Sequence, residues 1–376
     1  MAFSVSDIRE MIQARDQLRT WVQEHWQYVR SDYFYTERFV KALVTTQELA
    51  GLPKNSFLDY NAYRRYYHGR HRITKLVSAG KSRQLVLPYE QVIDLSRQPA
   101  TRIVGPGTLP NFDPSDEWYK LTQSNLDAFL ERKPSTTNGP VVRVADLRFL
   151  DVHSYSLSLE RAGYFDQVRT NLTLDYQEHA GRESLRIKDL SPDEGLPSFA
   201  QSSLANTIGV SAVVFFQKAG EDFVFMKLRR PHLGVYENMF GTVSGAAQAG
   251  ANQRIADVIQ WAQGEMLREF RRETGIDHDA DEQEVKWVIP LAFTRDLVRG
   301  GKPQFFFAIQ IAPQSENLFR KKFRPSAEGL DEFCDSLISN KTSLGRTLSP
   351  EFLYNLILFF EWRSRSISGE LYLDSQ

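Results

Sequence analysis

Apolar and polar residues follow a strand-like pattern over much of the chain after residue 205. Two β-rich runs, IGVSAVVFFQK at 208–218 and DFVFMKLRR at 222–230, are joined by a short glycine-containing turn, which predicts a hairpin. A helical pattern follows over about 255–274, and two further strands are predicted at 284–297 and 303–312. Strands on both sides of one helix, with hairpins among them, predict an α+β fold with a mixed sheet.

The two ends of the chain have helical patterns. Apolar residues recur at helical spacing over about 5–32, and 316–376 also reads as mainly helical. The span RQPATRIVGPGTLPNFDPS at 97–115 is dense in Pro and Gly and predicts a linker, whereas VVRVADLRFLDV from residue 141 partly alternates like a strand. These patterns divide the chain into a mainly helical N-terminal region (1–115) with a basic segment (61–89), an α+β accessory region (116–200), a central domain (201–315) and a helical C-terminal extension (316–376).

Composition is ordinary for a folded soluble protein. The 376 residues are 41% hydrophobic and 25% charged, and the 46 basic and 47 acidic residues leave a net charge of -1, so no global field favours a nucleic acid or a membrane. The single cysteine, Cys334, excludes an intramolecular disulfide and fits a reducing compartment. Charged residues at the start of the chain are unlike a signal peptide, and no apolar window is long enough to span a bilayer. We therefore expect a cytoplasmic protein with no membrane partner.

The segment GEMLREFRRETGI at 264–276 carries the candidate chemistry. On a helix, Glu265, Glu269 and Glu273 are four residues apart and form one stripe beside the apolar face. Stacked carboxylates repel one another by about 0.2–0.5 kcal/mol per pair on an exposed helix. A hard cation such as Mg²⁺, which prefers oxygen ligands, would remove this repulsion, and a neighbouring loop could add a backbone carbonyl. The stripe is therefore a candidate metal site.

The same segment has a second interpretation as a solvated surface helix. Arg268, Arg271 and Arg272 lie among the acids, and Glu265 with Arg268, or Glu269 with Arg272, can pair at a spacing of three. The helix alone leaves both interpretations open.

The surrounding sequence resembles a known family. REFRRETGI at 268–276 is similar to the core of the Nudix box of Nudix hydrolases, and the preceding GTVSG resembles its glycine loop, with Gly245 as the matching glycine. The resemblance covers about 205–312. It implies a Nudix-like α/β/α sandwich with a mixed sheet, to which the N-terminal region and the helical C-terminal extension are added.

The resemblance also implies roles for individual residues. Glu269 matches the metal ligand or general base and Glu273 matches a metal-binding glutamate, while Arg268 matches the arginine that orders the box and Gly275 the closing glycine. With Glu265 and the Gly245 loop as further ligands, the implied cofactor is Mg²⁺ or Mn²⁺. The implied reaction is attack of water on a pyrophosphate linkage of a nucleoside diphosphate derivative.

Three departures favour an alternative. Arg272 stands where the family has the first of two paired glutamates, and the position expected for an earlier glutamate holds Ala251 or Gln260, depending on where the count begins. The segment between Gly245 and Arg268 is also longer than in the family pattern. A guanidinium in place of a carboxylate opposes cation binding. The alternative is a weak or inactive Nudix-like protein that binds a nucleotide as a sensor or regulator.

Other residues are candidates for supporting roles. Arg229 and Arg230 end a predicted strand before the loop, where they could bind phosphate oxygens. Further metal ligands could come from Glu316, Glu328 or Glu332. The basic segment 61–89 combines arginines with tyrosines, so binding of nucleic acid is a third, less favoured hypothesis. The resemblance also allows a homodimer.

Overall fold

The computed structural model describes residues 73–77, 84–176, 183–189, 196–218, 221–225, 227–228, 240–251, 253–275, 285–297, 299–312 and 349–368. The strands in this part of the chain are β1 (Ile73–Val77), β2 (Gln84–Asp94), β3 (Arg102–Thr108), β4 (Pro140–Asp151), β5 (Ser154–Gly163), β6 (Gly209–Lys218), β7 (Glu221–Phe225), β8 (Lys227–Leu228), β9 (Phe240–Gly241), β10 (Val243–Ala246), β11 (Arg254–Asp257), β12 (Val285–Asp296) and β13 (Lys302–Ile311). The helices are α1 (Asp116–Arg132), α2 (Tyr164–Arg169), α3 (Leu185–Asp189), α4 (Val258–Thr274) and α5 (Pro350–Ser368). The helices predicted before residue 53 lie outside the described residues.

The larger sheet has seven strands, and its strand pairing is mixed. Its order is β1-β2-β12-β13-β6-β10, with β7 paired to the remaining part of β6. β13 runs parallel to β6, whereas the other pairs in this sheet are antiparallel. The predicted α+β class with a mixed sheet is therefore confirmed. The four strands predicted after residue 205 correspond to β6, β7, β12 and β13 of this sheet, except that Lys227–Leu228 of the second run pair with β9 in a separate two-stranded sheet.

The two central strands, β13 and β6, are buried on both faces. Successive side chains of a strand point to opposite sides. The run FFFAI in β13 therefore contributes apolar side chains to both faces of the sheet. Phe305 and Phe307 pack in the same apolar cluster as α4, whereas Phe306 and Ala308 pack in the cluster that contains α5. The two helices therefore cover opposite faces of the sheet.

Helix α4 begins and ends where its sequence provides caps. The Asp257 side chain accepts a hydrogen bond from the Gln260 backbone N–H at 3.0 Å, and Gly275 ends the helix in the left-handed conformation with a φ of 68°. The predicted end is confirmed. The helix starts three residues later than predicted, because the preceding residues pair with β3 as the short strand β11.

The predicted linker at 97–115 is wrong, because this span contains β3. This strand lies between β11 and β5 in a four-stranded sheet of order β11-β3-β5-β4, and its Ile103 is fully buried. Its glycines permit close packing and an unusual backbone conformation: a Cβ on Gly105 would clash with the Ile255 carbonyl, and Gly107 has a φ of 78°. Here glycine allows a strand to form beside another backbone, although the same composition is typical of a loop.

The two sheets are joined at the start of β4. The Val142 N–H donates to the Ala247 carbonyl at 3.0 Å, and the Val142 carbonyl accepts from the Ile208 N–H at 2.8 Å. The first residues of β4 therefore lie between the segment before β6 and the segment after β10. These hydrogen bonds hold the residues just after Gly245 against the start of β4.

Helix α5 covers the second face of the large sheet. Its Phe352, Ile357 and Phe359 are buried against β6, β12 and β13. It accounts for part of the predicted helical extension, whose residues 316–348 lie outside the described part of the chain. Among the described helices, none combines the length and the apolar character that a membrane crossing requires.

A charged group lies buried under the N-terminal end of α5. Lys302 is 2% exposed, and its Nζ donates to Gln304 Oε1 at 3.3 Å. Burial, the largest cause, acts together with the nearby Arg299 to lower the pKa of Lys302 from 10.5 to about 7, against the opposing effects of Glu351 and Asp296. The amine therefore loses most of its ordinary basicity on folding.

Replacing Lys302 by Met should remove a pH dependence of stability. The pKa of this amine is about 7 in the folded chain and has its ordinary value of 10.5 in the unfolded chain, so the unfolded chain binds more protons between these values. The free energy of unfolding should therefore rise with pH across this window, by at most about 1.4 kcal/mol per pH unit. Urea denaturation at several pH values between 7.5 and 9.5 measures the slope. Lys302→Met should flatten it, whereas Lys286→Met, at an exposed position, should not; equal slopes in both variants would contradict the assignment.

Candidate functional site

The three glutamates of the predicted stripe lie on one side of α4 and are withdrawn from solvent to different degrees. Glu269 is 3% exposed and Glu265 is 9% exposed, while Glu273 is half-buried. The adjacent face of the helix, with Met266 and Phe270, is fully buried in the core. The predicted alignment of the three carboxylates is therefore present, but two of them lie in a largely dry environment.

Both carboxylate oxygens of Glu269 are paired with arginine. Its Oε2 accepts hydrogen bonds from Arg272 Nε at 2.8 Å and from Arg272 Nη2 at 2.5 Å. Its Oε1 lies 2.8 Å from Arg268 Nη2. A buried carboxylate requires such charge-assisted contacts, because an unpaired charge at this depth is strongly unfavourable. The two arginines therefore neutralise Glu269 from both sides.

Glu265 links the helix to the preceding loop. Its Oε2 accepts from Arg268 Nε at 3.0 Å and from the Gln248 backbone N–H at 2.7 Å. Arg268 Nη2 in turn donates to the Ala246 carbonyl at 3.2 Å. Arg268 thus contacts Glu265, Glu269 and the loop together, and the ordering role that the resemblance implies for it fits these contacts.

Gly245 lies directly against the Glu269 side chain. It pairs with Val210 in the sheet, and a Cβ built on it would be 2.6 Å from Glu269 Oε2. The glycine therefore provides the space in which the carboxylate sits, because any larger residue would occupy the same volume.

Arg272 lies at the solvent side of this cluster, and its side chain is 61% exposed. Partial burial lowers the pKa of Arg272, but the hydrogen bond and charge of Glu269, with a contribution from Glu273, outweigh this effect and raise the pKa above its ordinary value. Its Nη2 is also 3.7 Å from Glu273 Oε1. The guanidinium therefore stays charged between two glutamates.

The carboxylates in this arrangement do not fit a divalent cation. Among the residues that the structure describes, no three His, Cys, Asp or Glu side chains form a group that could hold a metal ion. Mg²⁺ and Mn²⁺ require oxygen ligands, yet the oxygens of Glu269 are engaged with guanidinium groups whose charge repels a cation. We therefore assign no reaction step to a metal here.

Each of the two sequence interpretations describes part of the site. The pairs Glu265 with Arg268 and Glu269 with Arg272 form at the predicted spacing of three. They are not fully solvated surface pairs, because the acidic partners are buried. The backbone N–H of Gln248 is a contact that sequence reasoning missed, and no side-chain pattern could have indicated it, since every residue except proline has this donor.

The remaining candidates lie outside the described residues. These are Arg229, Arg230, Glu316, Glu328, Glu332 and the part of the basic segment before residue 73. The end of the basic segment, from residue 84, belongs to β2.

Comparison with known proteins yields a limited result. No protein-family model matches the chain, and no curated protein matches it in sequence. One solved structure with some likeness is a Nudix hydrolase from M. Smegmatis, RenU, which is 12% identical. The match covers 35% of this chain and 88% of that chain, with a TM-score of 0.20. At this level of similarity, the likeness assigns no activity to the present chain.

A Gly245→Ala variant tests the packing of the site. The added methyl group would collide with Glu269 and force the carboxylate away from its arginines, so we expect a destabilisation of about 1–3 kcal/mol. Gly264→Ala, on helix α4 next to Glu265, is the matched control. A Cβ there meets nothing within 4 Å, and alanine favours the helix by up to about 1 kcal/mol. Urea denaturation of both variants measures the difference, and equal effects would contradict the packing role of Gly245.

Proposed function

We propose that this chain is a Nudix-like protein that binds a nucleoside diphosphate derivative without a divalent cation and does not hydrolyse it. The pairing of both Glu269 oxygens with Arg268 and Arg272 carries this proposal. The Nudix-like nature of the fold rests on the REFRRETGI segment and on its place in a mixed sheet with one helix on each face.

Hydrolysis of a pyrophosphate linkage makes demands that this arrangement opposes. A general base must accept a proton from the attacking water, which requires an accessible oxygen within hydrogen-bonding distance. Glu269 is the residue that the resemblance assigns to this role, but it is buried and already accepts from two guanidinium groups. A metal ion that lowers the pKa of water would need the same oxygens. The arrangement therefore favours binding over catalysis.

The charge of the helix face supports binding of an anion. Three isolated glutamates on one stripe would repel phosphate, and hydrolases overcome such repulsion with metal ions. Here Arg268 contacts Glu265 and Glu269, and Arg272 contacts Glu269 and Glu273, so the two arginines offset most of this negative charge. A phosphate group can therefore approach this face without a metal ion, and the exposed Arg272 offers it a positive partner.

Ligand binding in the presence and absence of metal tests this function. The purified protein would be titrated calorimetrically with a panel of nucleotide diphosphate derivatives such as ADP-ribose, in chelator and in Mn²⁺. We expect one or more members to bind equally well in both conditions, and chromatography of the reaction mixture to detect no product. Glu269→Gln is the control for catalysis. Metal-dependent turnover that this variant abolishes would overturn the proposal in favour of a hydrolase, and failure of the whole panel to bind would also contradict it.

A further inference from the structure

Arg272 occupies the side of Glu269 that faces solvent. Its Nε and Nη2 both donate to Glu269 Oε2, so one edge of the planar guanidinium is directed at the carboxylate. The side chain of Glu269 is 4% exposed and that of Arg272 is 61% exposed. The arginine is therefore the outer member of the pair, and a solvated cation approaching Glu269 from this side would meet the guanidinium first.

We propose that Arg272 takes the place of a divalent cation on α4: it neutralises Glu269, excludes metal, and binds an anionic phosphate group of the ligand. The part that concerns the ligand rests on the proposed function. A guanidinium has five N–H donors in a fixed plane, and the edge that Glu269 engages uses only two of them. The outer edge, which includes Nη1, can donate two parallel hydrogen bonds to phosphate oxygens.

The contacts of Arg272 also limit its motion. A lone surface arginine loses side-chain entropy when it binds a ligand. The two hydrogen bonds to a buried carboxylate, with Glu273 Oε1 also 3.7 Å from Nη2, already restrict this side chain. Ligand binding therefore costs Arg272 little additional side-chain entropy, and this preorganisation favours affinity. The adjacent residue, Arg271, is also exposed. The position three residues before Arg272 holds Glu269, whereas the position three residues before Arg271 holds Arg268.

The exclusion of metal follows from charge at the same position. Substituting Arg272 by Glu would remove the two hydrogen bonds to Glu269 and place three carboxylates, at 269, 272 and 273, within about one turn of helix. Carboxylates at spacings of three and four share a helix face, which is a suitable arrangement for oxygen ligands of Mg²⁺ or Mn²⁺. One substitution should therefore reverse the preference of this face from anion to cation.

The experiment compares the wild-type chain with Arg272→Glu, Arg272→Lys and the matched control Arg271→Glu. Mn²⁺ alone is titrated and followed by electron paramagnetic resonance, and inorganic pyrophosphate alone is titrated calorimetrically in chelator. Arg272→Glu should bind Mn²⁺ at least tenfold more tightly than the wild type and pyrophosphate at least tenfold more weakly. Arg272→Lys retains the charge without the planar donor pair. It should not gain affinity for Mn²⁺ and should bind pyrophosphate with reduced affinity. Circular dichroism of each variant confirms that it is folded.

The outcomes separate this inference from the proposed function. If Arg271→Glu changes both titrations as much as Arg272→Glu, the effect comes from the net charge of the helix, and the assignment to Arg272 is overturned. Wild-type protein that binds Mn²⁺ as tightly as Arg272→Glu also overturns it. If nucleotide derivatives bind the wild type but neither titration changes in Arg272→Glu, the proposed function stands and this inference fails. If Arg272→Glu gains affinity for Mn²⁺ but no nucleotide derivative binds the wild type, the role of Arg272 in place of a cation is supported and the proposed function is contradicted.

Discussion

The burial of β13 and β6 on both faces is the constraint on which the rest of the structure depends. Their phenylalanines and aliphatic residues point to both sides of the sheet, so each side requires an apolar cover. Helix α4 supplies one cover and α5 the other. Because α4 must direct Met266 and Phe270 into the core, the neighbouring stripe that carries Glu265 and Glu269 lies at the margin of the sheet and is largely buried.

Burial of these glutamates then determines the electrostatics of the site. A carboxylate removed from water must be paired, and Arg268 and Arg272 lie one turn away on the same helix. The cluster is completed by the backbone of the Gly245 loop, which the joining of the two sheets holds close to α4. The result is a neutral, preorganised surface in which an arginine occupies the position facing solvent.

Sequence reasoning succeeded where one local signal was enough. The strands after residue 205 and the end of α4 at Gly275 were predicted because alternation and a helix-ending glycine are local features. It failed at 97–115, where Gly105 and Gly107 suggested a linker although the span contains β3. Those glycines serve a close approach to β11, which is distant in sequence. A local pattern cannot distinguish a flexible glycine from one that makes room for a neighbour.

The sequence by itself determined the α+β class, the alignment of Glu265, Glu269 and Glu273, and the spacing that lets each of the first two pair with an arginine. Only the tertiary structure decided that Glu269 is buried, that Gly245 makes room for it, and that the Gln248 N–H holds Glu265. The physical reason is that helical periodicity specifies which residues share a face. The free energy of a charge on that face depends on the solvent, loops and sheet around it, and these are brought together only by folding.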